Sequence, residues 1–221
     1  MRFQLVEGTA DEDRFVSGVS CPWCAIGLQS LETALERIGE GVRAELHFQP
    51  FELNAQMPLE GQDIVEHLGQ KYGVTPEQTR RNQDAIRQRG AAVGFTFEMD
   101  KRTRVYNTFD AHRLLHWAEL EGKQLPLKHA LFEAYFNRGE NPSDHDVLVR
   151  LAGAAGLDRA RAHEVLASDA YADEVRERQR FYLDQGIHSV PAVIVDDKHL
   201  IQGGHPPEVF ERALRQIVGE G

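Results

Sequence analysis

The chain has 221 residues, of which 41% are hydrophobic and 27% charged, and its formal net charge is −10 at pH 7. This length fits one large domain, or one domain with a sizeable insertion. The acidic balance argues against nucleic acid as a partner, because binding to phosphates needs a basic surface. No apolar run approaches the ~18 residues of a membrane span, and residues 1–13 lack the apolar core of a signal peptide. We therefore expect a cytoplasmic protein.

Two short apolar stretches near the beginning of the chain are predicted to be strands. The first is Met1–Val6, and the acidic stretch after it, residues 7–13, is expected to form a loop. The second is Arg14–Ser17, which precedes the two cysteines of the chain. A strand at this position would lead directly into the cysteine motif.

The cysteine motif reads Cys21-Pro22-Trp23-Cys24, and it contains every cysteine of the chain. The motif is followed by apolar residues at steps of four and three, which is the spacing of one helix face. With Cys24, that face comprises Leu28, Leu31, Leu35 and Ile38. The sequence therefore predicts a helix that begins at the motif and ends near Gly39 or Gly41.

A thiol at the beginning of a helix is easier to ionise than a free one. The unpaired backbone N–H groups of a helix N-terminus carry partial positive charge, which stabilises a thiolate. Cys-X-X-Cys settings lower the pKa of a cysteine to roughly 3.5–7.5, from about 8.5. We expect Cys21 to be the exposed, ionised nucleophile. Cys24, one turn further along on the apolar face, is expected to be the resolving thiol.

The stretch Val42–Leu53 is predicted to be the next strand, because apolar and polar residues alternate along it. Together with the first strand and the helix it makes a βαβ unit, so the two strands are expected to be parallel.

The chain from Gly61 to Gly186 has a helical pattern. Thr75, Pro76 and Gln78 have the spacing of a capping box with proline in the first turn. Helices are predicted over residues 63–72, 76–93, 107–121, 127–137, 141–156, 158–167 and 170–185.

The strand pattern returns after Gly186. Val190–Val195 and His199–Ile201 are predicted to form a β-hairpin, and the last helix is predicted to begin at Pro206 or Pro207. The order is therefore βαβ, a helical block, then ββα, which is an α/β arrangement. We expect residues 1–60 and 187–221 to form one domain, with residues 61–186 as an all-helical insertion packed on it.

Four stretches in this order resemble the DsbA-like branch of the thioredoxin fold, and within it the FrnE-type subgroup of disulfide oxidoreductases. They are residues 20–27 (SCPWCAIG), 50–54 (PFELN), 131–136 (LFEAYF) and 189–192 (SVPA). The resemblance implies a thioredoxin fold with a helical insertion. It also implies thiol–disulfide exchange with protein or small-molecule partners, with no external cofactor and with glutathione as one candidate redox partner.

The resemblance further implies which residues support the two thiols. A cis peptide bond between Val190 and Pro191 is expected to face the cysteines and to present the backbone of Val190 to an extended substrate. Pro22 and Trp23, between the thiols, are expected to shape the surface that a partner covers. Gly18 departs from the pattern, since relatives tend to carry an acid three residues before the first cysteine. This departure leaves the redox poise and the direction of electron flow open.

Three other readings stay open at this point. A zinc site would need further ligands, which His112 and His116 could supply on paper, although we expect no metal. A glutathione-dependent isomerase or transferase of the hydroxychromene-carboxylate isomerase or kappa-class type would typically carry a serine near the position of Cys21. A non-enzymatic, holdase-like protein would use the helical insertion to bind partners.

Overall fold

The computed structural model describes residues 13–39 and 44–220. The strand predicted at Met1–Val6 and the beginning of the strand predicted from Val42 lie outside these residues.

The described helices and strands follow one another in three blocks. The first block comprises β1 (Asp13–Ser17), α1 (Pro22–Ile38) and β2 (Leu46–Pro50). The second comprises β3 (Gln62–Asp63), α2 (Ile64–Tyr72), α3 (Pro76–Ala92), β4 (Arg104–Val105), α4 (Phe109–Leu120), α5 (Gln124–Glu133), a π-helical turn (Ala134–Arg138), α6 (His145–Ala154), α7 (Arg159–Leu166) and α8 (Ala172–Asp184). The third comprises β5 (Ala192–Val195), β6 (His199–Gln202) and α9 (Pro207–Glu220). The predicted order of βαβ, helical block and ββα is confirmed.

The main sheet has four strands in the order β2-β1-β5-β6. β1 and β2 are parallel, as predicted, while β5 pairs antiparallel with both β1 and β6. The second strand is shorter than predicted and ends at Pro50 rather than Leu53. β2 ends there because its partner strand β1 ends at Ser17, the residue that pairs with Pro50.

Alternation along the sheet sends side chains to two different cores. Phe15 and Val193 face the side on which α1 and α9 pack, in a cluster with Leu28 and Phe210. Their neighbours Val16 and Ala192 face the other side, in a cluster with Tyr182 of α8. Each large apolar side chain buried in this way contributes roughly 1.5–3 kcal/mol. The sheet is therefore covered by helices on both faces.

The inserted block is mainly helical, as predicted, but the expectation that it is all-helical is wrong, because it also contains a short pair of strands. β3 and β4 form an antiparallel ladder of two residues each, with Gln62 opposite Val105 and Asp63 opposite Arg104. Strands of two residues are too short to show an alternation of apolar and polar residues in the sequence. The insertion otherwise has its own core, formed between α4, α5, α6 and α7. The division of the chain at residues 60 and 186 stays a prediction.

Helix α5 connects the insertion to the sheet and differs from its prediction at both ends. It begins at Gln124, whose side-chain amide accepts from the N–H of Phe48 at 2.8 Å and donates to the carbonyl of Phe48 at 2.9 Å. This amide occupies the place that a further strand would take beside β2. At its other end α5 passes into the π-helical turn, which ends at Gly139 with φ 69°. α5 is thereby held against the sheet close to the cysteine motif.

Candidate active site

The two cysteines lie at the junction of β1 and α1. Cys21 is the N-cap residue of α1, with φ −91° and ψ 116°, and Pro22 occupies the first helical position. Proline is tolerated there because the N–H it lacks would have no partner within the helix. The N–H of Cys24 donates to the carbonyl of Cys21 at 3.1 Å, which closes the first turn. The predicted start of the helix at the motif is confirmed.

The prediction that Cys21 is exposed is wrong. Cys21 is 5% exposed and Cys24 is 0% exposed, so the expected order holds while both thiols are buried. Helix periodicity describes only the faces of α1 itself. Cys21 is contacted from a distant part of the chain, because the carbonyl of Val190 lies against its sulfur. Trp23, between the thiols, is 38% exposed and marks where the site meets solvent.

The two thiols have opposite pKa shifts. The pKa of Cys21 is lowered, chiefly because the thiol of Cys24 donates a hydrogen bond to its thiolate. Burial opposes this shift, while the backbone N–H groups of Cys24 and Trp23 and the charge of Arg102 add to it. The pKa of Cys24 is raised well above its usual range by burial and by the neighbouring Cys21. Loss of the proton is thus favoured at Cys21 and disfavoured at Cys24.

The loop before β5 faces the cysteines through a cis peptide bond between Val190 and Pro191, as predicted. The carbonyl of Val190 lies 3.9 Å from the Sγ of Cys21. Gly27 of α1 permits this approach, since a Cβ built there would lie 3.0 Å from the Cγ of Pro191. Gly204 packs as closely on the motif, since its Cβ would lie 2.8 Å from the carbonyl oxygen of Trp23. Pro22, Trp23, Val190 and Pro191 therefore all lie around the thiol pair.

Arg102 was not singled out from the sequence, although it lies beside Cys21. Its Nη2 donates to the carbonyl of Ser20 at 3.3 Å. Its guanidinium group lies over two rings, 5.1 Å from the centre of Tyr135 and 5.4 Å from that of Phe136. Stacking on aromatic faces holds the cation in place. Both rings lie in the stretch 131–136, but nothing in the sequence around Arg102 indicates that its charged end reaches them.

Lys128 of α5 is the second residue that sequence reasoning missed. Its side chain is fully buried, and its Nζ donates to the carbonyl of Gly18 at 3.3 Å. Its charge lowers the pKa of Cys24, partly offsetting the effect of burial. A lysine at helical spacing among apolar residues gives no indication in the sequence of whether its end reaches solvent.

The two histidines considered as zinc ligands lie on α4. His112 is buried, and burial lowers its pKa to about 3. The ring of His116 instead contacts Tyr171, with 5.1 Å between the ring centres. Within residues 13–39 and 44–220, no group of three or more His, Cys, Asp or Glu side chains is arranged to hold a metal ion.

A four-stranded sheet of βαβ and ββα parts, with a Cys-X-X-Cys pair at the first helix and a cis-proline facing it, defines the thioredoxin-fold class. Comparison with known families agrees and is more specific. The chain belongs to the DSBA-like thioredoxin domain family, whose profile matches residues 14–215. The members of this family are generally oxidoreductases. In the described part of the chain, no helix is both long and apolar enough to cross a membrane.

Three known proteins resemble this chain to different degrees. A probable DsbA oxidoreductase from Streptomyces coelicolor is 34% identical, with a TM-score of 0.89 over 95% of this chain and 91% of that one. The uncharacterized protein YwbO of Bacillus subtilis is 27% identical over 195 residues, which cover 88% of this chain and 90% of that protein. The cytosolic disulfide reductase DsbM from Pseudomonas aeruginosa, solved with GSH, is 15% identical with a TM-score of 0.65 over 94% of this chain and 98% of that one. The last likeness concerns the fold alone.

Proposed function

We propose that the protein is a thiol–disulfide oxidoreductase in which Cys21 is the attacking thiolate and Cys24 the resolving thiol. The observation that carries the proposal is the opposite pKa shift of the pair, down for Cys21 and up for Cys24. A nucleophile has to be ionised, whereas a resolving thiol that stays protonated does not compete with it.

The exchange takes place in two steps. The Cys21 thiolate attacks one sulfur of a substrate disulfide, so that a Cys21–substrate bond forms and the other substrate sulfur leaves as a thiolate. Cys24 then loses its proton and attacks Cys21. A Cys21–Cys24 disulfide forms, and the second substrate sulfur leaves with the electron pair of the broken bond. The substrate gains two electrons and the cysteine pair loses two, and the reverse sequence oxidises a dithiol.

The substrate would approach over Trp23, the most exposed side chain of the motif. An extended peptide segment laid beside Val190 would pair with its backbone, in the manner of an added strand. The carbonyl of Val190 already faces the Sγ of Cys21 at 3.9 Å. Backbone pairing at this point would bring a peptide disulfide to the attacking thiol without reading its side chains.

Glutathione and a cytoplasmic location belong to the same proposal. Support for both comes from the fold neighbour that is described as a cytosolic disulfide reductase and was solved with GSH. Protein disulfides remain the other class of substrate. The narrower assignment to the FrnE-type subgroup stays a prediction. Cysteine at both motif positions favours redox exchange over the glutathione-dependent isomerase or transferase alternative.

Single cysteine variants test the assignment of roles. Cys24→Ser keeps the attacking thiolate but cannot resolve, so it should accumulate mixed disulfides that are visible on a non-reducing gel and disappear with reductant. Cys21→Ser should form none and should be inactive. Trapping by Cys21→Ser alone would reverse the two roles.

A wild-type protein that neither reduces nor oxidises a test disulfide would refute the oxidoreductase proposal. If the Cys21→Ser variant then still bound partner proteins, the holdase-like alternative would replace it.

A further inference from the structure

Lys128 is a buried cation inside the wall of the site, and the exchange mechanism above gives it no part. It is 0% exposed and projects from α5 of the insertion towards the thioredoxin sheet. Its ammonium group lies 5.6 Å from the ring centre of Phe48 and 5.0 Å from that of Phe132. Lysine is almost never fully buried unless it is paired. A charge in this position therefore calls for a partner.

The partner lies in the cysteine pair. Among the described residues, the charges that act on Lys128 are those of Cys24 and, after it, Cys21, and both favour the ammonium form. Burial outweighs them and lowers the pKa of Lys128 to about 8. His112, which faces the lysine from α4, is neutral because burial and the lysine charge hold its pKa near 3. Cys24 is thus the thiol whose ionisation this charge favours.

The two backbone groups of Gly18 connect Lys128 to Cys24. The carbonyl of Gly18 accepts from the lysine Nζ at 3.3 Å, while the N–H of Gly18 donates towards the Cys24 sulfur. A Cβ at position 18 would lie 3.2 Å from the carbonyl oxygen of Phe51 and 3.7 Å from the Cβ of Cys21, so a side chain at this position would crowd the Phe51 carbonyl.

The two cations near the site divide between the two thiols. Arg102 is the cation that lowers the pKa of Cys21. Lys128 is the cation that lowers the pKa of Cys24. Each thiol of the proposed exchange therefore has its own cation, which can be removed by mutation. Arg102 acts on the attacking Cys21, and Lys128 acts on the resolving Cys24.

We propose, on the basis of the function proposed above, that Lys128 is a positioning residue for the resolving step, in which its buried ammonium group stabilises the Cys24 thiolate. In the mixed disulfide Cys21 carries no charge, so the lysine charge acts on Cys24 alone. Cys24 releases its proton to water and its thiolate attacks the Cys21 sulfur. The Cys21–Cys24 bond forms, the Cys21–substrate bond breaks, and the substrate sulfur leaves with the electron pair and takes up a proton from water.

The test follows the two steps separately. Reduced protein is mixed rapidly with a symmetric aromatic disulfide, both halves of which absorb light once they are released. Attack by Cys21 gives a first phase whose rate depends on reagent concentration, and resolution by Cys24 gives a second phase whose rate does not. Lys128→Met removes the charge at similar length and with it the cost of burying a charge. Lys128→Gln is the second charge-free variant, and Lys128→Arg keeps the charge.

Lys128→Met and Lys128→Gln should slow the second phase at pH 7 by roughly tenfold and move its pH profile to higher pH, while the first phase changes much less. Lys128→Arg should restore most of the second-phase rate. Lys123→Met, which removes an exposed lysine at the beginning of α5, should behave as wild type. A merely structural role would leave the pH profile of the second phase in place.

Two failures can be told apart. A folded Lys128→Met or Lys128→Gln protein with the wild-type second phase and pH profile would overturn the assignment of Lys128 and leave the oxidoreductase proposal intact. Absence of the first phase in the wild-type protein would instead refute the proposed function itself. A charge-free variant that slows both phases equally would also overturn the assignment, because the effect would then not be specific to Cys24.

Discussion

Cys21 and Cys24 lie one helical turn apart, yet the fold treats them differently. Cys21, at the N-cap, faces the backbone N–H groups of Cys24 and Trp23, whereas Cys24 lies on the apolar face of α1 among core residues. Both are buried, so solvent does not distinguish them. The difference arises from the donors and charges within hydrogen-bonding or electrostatic range of each sulfur.

Arg102 supplies part of this difference, and its removal is a direct test. Arg102→Met should raise the pKa of Cys21, because the charge of Arg102 is one of the causes that lower it. The pH profile of Cys21 alkylation in the reduced protein should therefore move to higher pH. The measurement is the pH dependence of the alkylation rate, with the labelled cysteine identified by mass spectrometry.

Lys101→Met is the matched control, since it removes an exposed cation from the adjacent position. Its alkylation profile should coincide with that of the wild type. An unchanged pH midpoint in Arg102→Met would show that the thiolate depends on Cys24 and the helix N-terminus alone.

The thiol pair could be predicted from the sequence, whereas its surroundings could not. The N-cap position of Cys21 follows from local signals, namely a strand, a proline at the first helical position and apolar residues at helical spacing. Arg102 and Lys128 reach the site only because the insertion folds back on the sheet. Neither side chain has a local pattern that indicates where its charged end lies.

At the scale of elements, local chemistry predicted boundaries well wherever one residue type determines them. The capping box of Thr75 and Gln78 is present, and Gly73 ends α2 with φ 68°. Elements that depend on a distant partner were predicted less well. The end of β2 is determined by β1, and the β3–β4 ladder requires two segments about forty residues apart to meet. Periodicity within a segment carries no information about such a partner.

The beginning of β1 makes a contact with the β5–β6 turn that should depend on pH. Asp13 is 3% exposed, and burial raises its pKa to about 7. Its carboxyl group accepts a backbone hydrogen bond from Asp196, while the negative charges of Asp196 and Asp197 disfavour its ionisation. The folded protein therefore keeps a proton that the unfolded chain loses near pH 4. Stability should fall as the pH rises from about 4 through about 7.

Asp13→Asn should remove this loss. The free energy of unfolding should increase by roughly 1–3 kcal/mol at pH 8 and change little at pH 4, because the wild-type carboxyl group is neutral there in the folded state and only about half ionised in the unfolded chain. Urea titrations at the two pH values provide the measurement. Asp184→Asn, at an exposed position of α8, is the control and should show no such pH dependence. Equal effects of Asp13→Asn at both pH values would refute the burial argument.

At the scale of the whole molecule, the insertion is part of the site. α5 contacts β2 through Gln124, and the same helix carries Lys128 to the back of the cysteine motif. The loop before β4 carries Arg102 to its front, next to Ser20. A sheet of four strands with two helices would hold the thiols without either cation. The insertion thereby supplies the two cations that act on the thiols, whereas the thioredoxin part supplies the thiols themselves and the backbone around them.

Redox state and fold stability should be linked through Cys21. Its pKa is lowered in the folded reduced protein, so the folded state binds fewer protons at this sulfur than the unfolded chain does. A group of this kind adds stability that is present above its unfolded pKa, near 8.5, and is lost as the pH falls through its folded pKa. The oxidised protein lacks this titration. The free energy of unfolding of the reduced form, minus that of the oxidised form, should therefore rise between pH 5 and pH 8.

Paired urea titrations of the two forms at pH 5, 6, 7 and 8 measure this difference. The effect of the Cys21–Cys24 bond on the unfolded chain is a matter of chain entropy and does not vary with pH, so it shifts the whole curve without changing its slope. Asp13 and Lys128 titrate in both forms, which removes most of their contribution from the difference. Higher pH is avoided because the raised pKa of Cys24 acts in the opposite direction once the unfolded chain ionises there.

Reduced Cys21→Ser protein should lose the rise, and a flat difference in the wild type would mean that the Cys21 thiolate is no better stabilised in the fold than in the unfolded chain.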